Sequence, residues 1–190
     1  MEKHRYLCGH DERAWFAATV PDREFGIHNI DSAVEALKPD AVLRAQAKTK
    51  IKNSDRRRRR NRAFVRQGEW FFVPTEAKID DVTVLRNEPL QRGRGKPHLA
   101  EMLFRRGGTQ VYVCGRYPNG LSESNYRALL RKEPHLSRLG WRTMVRAPEV
   151  YCKGRITHRD HATVTLNDWH RVYPNTESNA VWVENLAFLD

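Results

Sequence analysis

Residues 63–74, AFVRQGEWFFVP, decide the fold class that this sequence predicts. Aromatic and β-branched side chains fill the stretch, and such side chains favour a strand that packs on at least one face. Pro74 ends the strand, because proline has no N–H to donate to a neighbouring strand. Similar short segments, separated by Gly, Asn or Asp, continue towards the C-terminus. The pattern predicts a main domain over residues 63–190, mainly an antiparallel β barrel or rolled sheet with a few short helices.

The first 50 residues predict a small α+β lobe that precedes this domain. Two short strands flank a polar turn at residues 9–13 (GHDER), and Pro21 ends the second strand. Apolar residues then recur at the spacing of a helix, which Asn29 or Asp31 can cap, and a second short helix begins at Asp40. The chain as a whole is therefore expected to be α+β.

The positive charge of the chain is concentrated in one segment. The formal net charge is +11. Residues 48–66 (KTKIKNSDRRRRRNRAFVR) hold ten Lys or Arg and one Asp, so this segment alone carries +9. Like charges at this density repel one another. We therefore expect residues 51–62 to form an extended or disordered basic linker between the lobe and the main domain.

The arginine tract, residues 56–62 (RRRRRNR), predicts binding to nucleic acid. Basic side chains that neutralise phosphates release counterions, which gives a steeply salt-dependent affinity. Neighbouring aromatic side chains could stack on bases, although their place on a strand favours the core. The alternatives are a solvated linker without a specific partner and a segment that docks on an acidic protein surface in a larger assembly. The predicted phosphate contacts are Arg56, Arg57, Arg58, Arg59, Arg60 and Arg62.

Residues 88–98 (EPLQRGRGKPH) predict a loop, because Gly and Pro disfavour regular structure. Glycine lets a backbone approach an anion closely, and Arg92, Arg94 and Lys96 add positive charge. The segment is not a P-loop, since that motif needs Ser or Thr after the lysine and this chain has Pro97. We expect either a second phosphate contact at these three residues or a mobile surface loop.

Four histidines form a candidate metal site. His158, His161 and His170 lie near one another in the sequence, and His98 joins them if the sheet brings it close. Imidazole is a common ligand of zinc and of iron. This hypothesis describes a metal-dependent enzyme with a divalent metal such as zinc, acting on a phosphorylated or nucleic-acid substrate. The alternative is a set of structural histidines that form hydrogen bonds in turns.

Composition argues against a membrane protein. No apolar run approaches the about 20 residues that span a bilayer, and the first residues have no signal-peptide core. Three cysteines, an odd number, indicate reduced thiols. We therefore expect a cytoplasmic protein whose leading partner is nucleic acid, either RNA or DNA, with a protein partner as the alternative.

Several motifs resemble those of a group of uncharacterised bacterial proteins, and together they cover most of the chain. They are residues 8–12 (CGHDE) with Trp15 and Phe16, residues 66–74 (RQGEWFFVP), residues 92–98 (RGRGKPH), Tyr151, Gly154, His158, Asp160, His161, residues 169–172 (WHRV) and residues 175–177 (NTE). The group has no established activity, so the resemblance implies no substrate, cofactor or mechanism. It does imply that the lobe and the main domain belong together as one protein.

Overall fold

A computed structural model describes residues 4–23, 26–79, 83–91, 95–177 and 186–188. The described strands are β1 (Arg5–Asp11), β2 (Ala14–Val20), β3 (Val65–Gln67), β4 (Trp70–Pro74), β5 (Leu85–Leu90), β6 (His98–Arg106), β7 (Thr109–Cys114), β8 (Tyr117–Leu121), β9 (Arg142–Arg146), β10 (Glu149–Thr157), β11 (Val164–Pro174) and β12 (Leu186–Phe188). The helices are α1 (Ile30–Ala36), α2 (Asp40–Lys48) and α3 (Glu123–Lys132), with short 3-10 helices at Asn53–Asp55 and Pro134–Arg138.

The strands form three sheets. β1 and β2 make a two-stranded hairpin, six strands follow the order β3-β4-β11-β10-β6-β5, and four follow the order β12-β9-β7-β8. Each pairing whose register is described is antiparallel. The predicted α+β class with mainly antiparallel sheet is thus confirmed. Among the strands that the structure describes, no sheet closes into a barrel.

The six-stranded sheet curls on itself. The strand order places two strands between β3 and β10, yet Nε2 of Gln67 donates to the carbonyls of Ile156 at 3.1 Å and Ala162 at 2.7 Å. The curled sheet encloses the largest apolar cluster of the chain. Its buried members are Val65, Trp70, Phe72, Leu90, Ala100, Leu103, Cys152, Ile156, Leu166 and Val172.

The N-terminal elements follow the sequence pattern closely. α1 begins after Asn29, whose side chain accepts the backbone N–H of Ser32, and the Ser32 hydroxyl accepts the backbone N–H of Asn29 in return. This reciprocal pair satisfies two N–H groups that a helix start leaves free. Val20 of β2 packs against Ala33 and Ala36 of α1 in a small apolar cluster. The predicted strands, helices and cap are therefore confirmed here.

The predicted loop over residues 88–98 is only partly a loop. Residues 88–90 belong to β5, and His98 begins β6. Pro89 fits in a strand because β5 lies at the edge of its sheet. An edge strand has a neighbour on one side only, so the N–H that proline lacks need not pair with another strand. Residues 92–94 lie outside the described residues.

Contacts divide the chain into two compact units. One comprises residues 1–91, 95–104 and 150–180, and the other comprises residues 92–94, 105–149 and 181–190. Residues 1–50, the segment 51–62 and the first strands after it lie in the same unit. The domain boundaries predicted from the sequence, with a lobe at residues 1–50, a linker at 51–62 and a main domain at 63–190, stay a prediction.

Two further expectations concern cysteines and membranes. Cys8, Cys114 and Cys152 form no disulfide with one another in the structure. Within the described part of the chain, no helix is long and apolar enough to cross a membrane.

Candidate metal centre

Three of the four candidate histidines meet in the curled sheet. His98 is the first residue of β6, and His158 and His161 lie in the connection from β10 to β11. One potential ligand atom of each histidine lies within 4.8 Å of those of the other two. His98 is buried, and the two loop histidines are half-buried. The structure therefore brings together residues that are 60 positions apart in the sequence.

The three imidazole rings are nearly parallel. The centroid of His98 lies 4.1 Å from that of His158 and 5.6 Å from that of His161, with interplanar angles of 18° and 20°. A tetrahedral zinc ion about 2.0–2.1 Å from each nitrogen needs nitrogens about 3.3 Å apart. The ligand atoms lie within 4.8 Å of one another, so coordination needs them to approach by at most about 1.5 Å.

His98 has two buried ring nitrogens that no protein group satisfies. A buried polar atom without a partner is unfavourable by about 1–3 kcal/mol, so such atoms are rare without an ion or water to satisfy them. Burial, and then the positive charge that His158 and His161 would carry, lower the pKa of His98 to about 3. Its imidazole is neutral at ordinary pH, which is the form that binds metal.

Gly68, in the turn between β3 and β4, supplies the floor of the cluster. A Cβ at this position would lie 2.8 Å from Nε2 of His161 and 3.2 Å from Nε2 of His98. The residue also has a φ of +57°, which favours glycine. The two Nε2 atoms therefore converge on space that is open only because residue 68 has no side chain.

Polar groups hold the loop that carries the other two histidines. Nδ1 of His158 accepts the backbone N–H of Asp160 at 3.1 Å, so the lone pair of this nitrogen is engaged and the neutral ring carries its proton on Nε2. A metal ion at His158 would therefore have to displace either this hydrogen bond or that proton. The Asp160 carboxylate pairs with Lys96 at 2.6 Å. That hydrogen bond lowers the pKa of Asp160. Lys96, predicted as a phosphate contact, thus lies beside the histidine loop.

His170 does not join the cluster. It lies on β11, and its Nδ1 is 2.7 Å from the carbonyl oxygen of Asp168. Burial lowers its pKa. Of the four predicted ligands, the structure thus brings His98, His158 and His161 together and leaves His170 outside the cluster.

The arginine tract has a folded conformation in this structure, whereas its charge density alone predicts an extended linker. A 3-10 helix at Asn53–Asp55 leads into it, and an isolated bridge pairs Arg60 with Val65. The carbonyl of Arg56 accepts hydrogen bonds from Nζ of Lys38 at 2.7 Å and Nε2 of Gln46 at 3.2 Å. The tract therefore packs against the N-terminal lobe.

Carboxylates earlier in the chain, most of them in the N-terminal lobe, pair with much of the tract. Arg56 pairs with Glu35 at 2.9 Å, Arg57 with Asp31 at 2.5 Å, and Arg58 with Asp55 at 3.0 Å. Arg59 pairs with both Asp11 and Glu12, and Nη2 of Arg60 donates to the carbonyl of Thr165 at 2.8 Å. Arg62 is exposed. The repulsion expected from the local sequence is offset by acids that lie earlier in the chain.

The remaining predicted phosphate contacts stay predictions. Arg92 and Arg94 lie outside the described residues.

The aromatic side chains after the tract are buried, because Phe64, Trp70, Phe71 and Phe72 are all at most 6% exposed. They belong to the core and offer no stacking face.

Two residues of the site were not predicted from the sequence. Gly68 is followed by a strand, and nothing local distinguishes it from any other turn glycine. Glu12 approaches His161, with Oε2 3.7 Å from Nδ1, across 149 positions in the sequence. The motif at residues 8–12 drew attention to this turn, but only the fold shows which group it faces.

A comparison with protein-family models, with curated proteins and with solved structures found no match for this chain.

Proposed function

We propose that the protein binds a divalent transition-metal ion, with zinc the first candidate, through His98, His158 and His161. The observation that carries this proposal is the pair of buried, unpartnered ring nitrogens of His98 beside two further imidazoles. An all-imidazole donor set suits zinc, copper, iron or nickel and disfavours magnesium and calcium, which prefer oxygen. Zinc also tolerates the tetrahedral geometry that three converging side chains can reach.

The class of activity that follows is metal-assisted hydrolysis. Three protein ligands leave a fourth position on a tetrahedral ion for water, as in catalytic zinc sites. An ion held by these three histidines would lower the pKa of a water in that position and would supply a nucleophile near neutral pH. Arg159 is exposed in the loop between His158 and His161, and its charge favours an anionic substrate. A phosphorylated or nucleic-acid substrate has this character.

Zinc titration of purified protein tests the binding step. We expect wild-type protein to take up one ion per chain, measured by calorimetry or by competition with a coloured chelator. His158→Ala and His161→Ala should each weaken binding by more than about 100-fold, since each removes one of three ligands. Both residues are half-buried loop positions, so folding should survive.

His135→Ala is the matched control for these variants. His135 lies in the 3-10 helix Pro134–Arg138, with its side chain 72% exposed, and is not part of the cluster. Its removal should leave zinc affinity unchanged. Folded wild-type protein that shows no saturable uptake of zinc, cobalt, nickel or copper would overturn the proposal.

Nucleic-acid binding through the tract is a second proposal, supported by a narrower set of residues. The side chains of Arg57 and Arg58 are 57% and 71% exposed in spite of their ion pairs, and Arg62 is exposed. Exposed ion pairs are weak, so a phosphate can replace the carboxylate partner. Arg56 and Arg59 are less accessible and serve the fold.

A further inference from the structure

Glu12 is held in an unusual position at the tip of the hairpin formed by β1 and β2. Its φ of +56° lies in the left-handed region that residues other than glycine seldom adopt. Such a conformation persists where surrounding contacts fix it. The side chain of Glu12 is 21% exposed, and it points towards the loop that carries His161.

Both carboxylate oxygens of Glu12 are engaged. Oε1 accepts a hydrogen bond from Nη1 of Arg59, and Oε2 accepts the backbone N–H of Ala162, the residue after His161. Oε2 also lies 3.7 Å from Nδ1 of His161. This nitrogen is buried and makes no hydrogen bond at that distance. A carboxylate with both oxygens bound is poorly suited to take a proton from water, but it is well suited to orient a ring.

The two nitrogens of His161 face different groups. Nδ1 faces the Glu12 carboxylate, and Nε2 faces Gly68 and the Nε2 of His98. A neutral imidazole with its proton on Nδ1 has its lone pair on Nε2. A negative charge beside Nδ1 favours that tautomer. It also raises the basicity of Nε2, as carboxylates do for metal-bound histidines generally.

We propose that Glu12 is a positioning residue of the histidine site, which keeps the proton of His161 on Nδ1 and presents Nε2 as the metal ligand. This inference rests on the proposed metal binding for its consequence. The claim that Glu12 keeps the proton of His161 on Nδ1 does not depend on a metal ion. A hydrogen bond between Nδ1 of His161 and Oε2 of Glu12 would require their 3.7 Å separation to shorten.

Glu12→Gln tests the inference against Asp11→Asn as the matched control. Each change removes one of the two ion pairs between Arg59 and the hairpin, because Arg59 pairs with both carboxylates. Glu12 places a carboxylate oxygen 3.7 Å from Nδ1 of His161, whereas Asp11 is paired with Arg59 and Arg66 and acts on His161 through its charge. We expect Glu12→Gln to lower zinc affinity by about 10–100-fold, and Asp11→Asn to change it by less than about 3-fold. Equal losses in both variants would show a structural role alone and would overturn the inference.

The tautomer of His161 gives a second readout that a structural role would not move. Nitrogen-15 NMR of metal-free wild-type protein should show Nδ1 protonated and Nε2 unprotonated, and Glu12→Gln should shift this ring towards a mixture. Wild-type His161 with its proton on Nε2 would overturn the inference even if the variant fails to fold. Failure of wild-type protein to bind zinc would instead overturn the proposed function, and the tautomer would still report on Glu12.

Discussion

Arg59 donates to the carboxylate of Glu12, and this bond joins the arginine tract to the histidine site. The same guanidinium binds Asp11, so one arginine holds both acids at the tip of the first hairpin. Glu12 in turn accepts the N–H of Ala162. A segment whose charge suggested a partner outside the protein therefore has partners within it.

Loss of Arg59 should destabilise the protein more than loss of its neighbour Arg58. Arg59→Ala leaves two carboxylates, each at most 21% exposed, without their main cation. We expect a loss of about 1–3 kcal/mol in the free energy of unfolding, below the value for a fully buried pair because Arg59 is 40% exposed. Urea titration followed by circular dichroism measures this change.

Arg58→Ala is the control for that measurement. Arg58 is 71% exposed and pairs only locally, with Asp55 three positions earlier. Its loss should change the free energy of unfolding by less than about 0.5 kcal/mol. Similar losses for the two variants would contradict the assigned role of Arg59.

Gly68→Ala should disrupt the histidine cluster. The added Cβ would press on Nε2 of His161 and Nε2 of His98, and the backbone has a positive φ. Gly140→Ala is a matched control, because Gly140 has a φ of +62° with no atom within 4 Å of a Cβ. Both variants should lose about 1 kcal/mol of stability from the backbone alone.

Only Gly68→Ala should weaken zinc binding, by at least about 10-fold in a chelator competition. An equal zinc affinity in the two alanine variants would show that the space above residue 68 is not where the ligand atoms converge.

The buried ion cluster at Glu35 should make stability depend on pH. Burial alone would raise the pKa of Glu35, but hydrogen bonds from Arg56 and Lys38 outweigh burial and lower it. A carboxyl whose pKa is lower in the folded state stabilises the protein above its unfolded pKa, and this stabilisation disappears as the pH falls through the folded value. The side chain of Lys38 is only 2% exposed, so Glu35→Gln leaves this buried cation without the carboxylate that neutralises its charge.

We expect Glu35→Gln to reduce the free energy of unfolding at pH 7 by about 2–4 kcal/mol. The difference in free energy of unfolding between the variant and wild type should shrink as the pH falls below about 4.5, the ordinary pKa of glutamate. Glu123→Gln is the control, since Glu123 is 54% exposed and should contribute less than about 0.5 kcal/mol. A gap that stays constant between pH 7 and pH 3 would contradict the assignment of the lowered pKa.

Replacement of the exposed arginines tests nucleic-acid binding without damage to the fold. Arg57→Ser, Arg58→Ser and Arg62→Ser together should flatten the salt dependence of the affinity for short RNA or DNA, by a slope of up to about three. Fluorescence anisotropy between low and moderate salt measures this slope. An unchanged slope would contradict the nucleic-acid proposal. A protein that still co-purifies with this chain after nuclease treatment would indicate an acidic protein partner instead.

The elements of the fold that depend on local signals could be predicted. Asn29 caps α1 as its position indicated, and Pro74 ends β4. Pro89 was assigned to a loop, because its acceptability in β5 depends on an edge position that only the strand order reveals. Local patterns specify where strands lie but not which neighbours they receive.

The candidate site was predicted only in part for a similar reason. Residue type identified four histidines, but the curl of the sheet decides that His98 meets His158 and His161 while His170 faces elsewhere. The local sequence does not predict the conformation of the arginine tract, because partners such as Asp11 and Glu35 lie more than 20 positions away. Charge counted along the sequence cannot show charge that is neutralised across the fold.

The zinc content of purified protein tests the central claim most directly. Protein equilibrated with zinc and then dialysed should retain one ion per chain by elemental analysis, and X-ray absorption should show imidazole nitrogens at about 2.0–2.1 Å. The double variant His158→Ala/His161→Ala should retain none, while His135→Ala retains the ion. Wild-type protein that is folded by circular dichroism and retains no zinc, cobalt, nickel or copper would contradict the account.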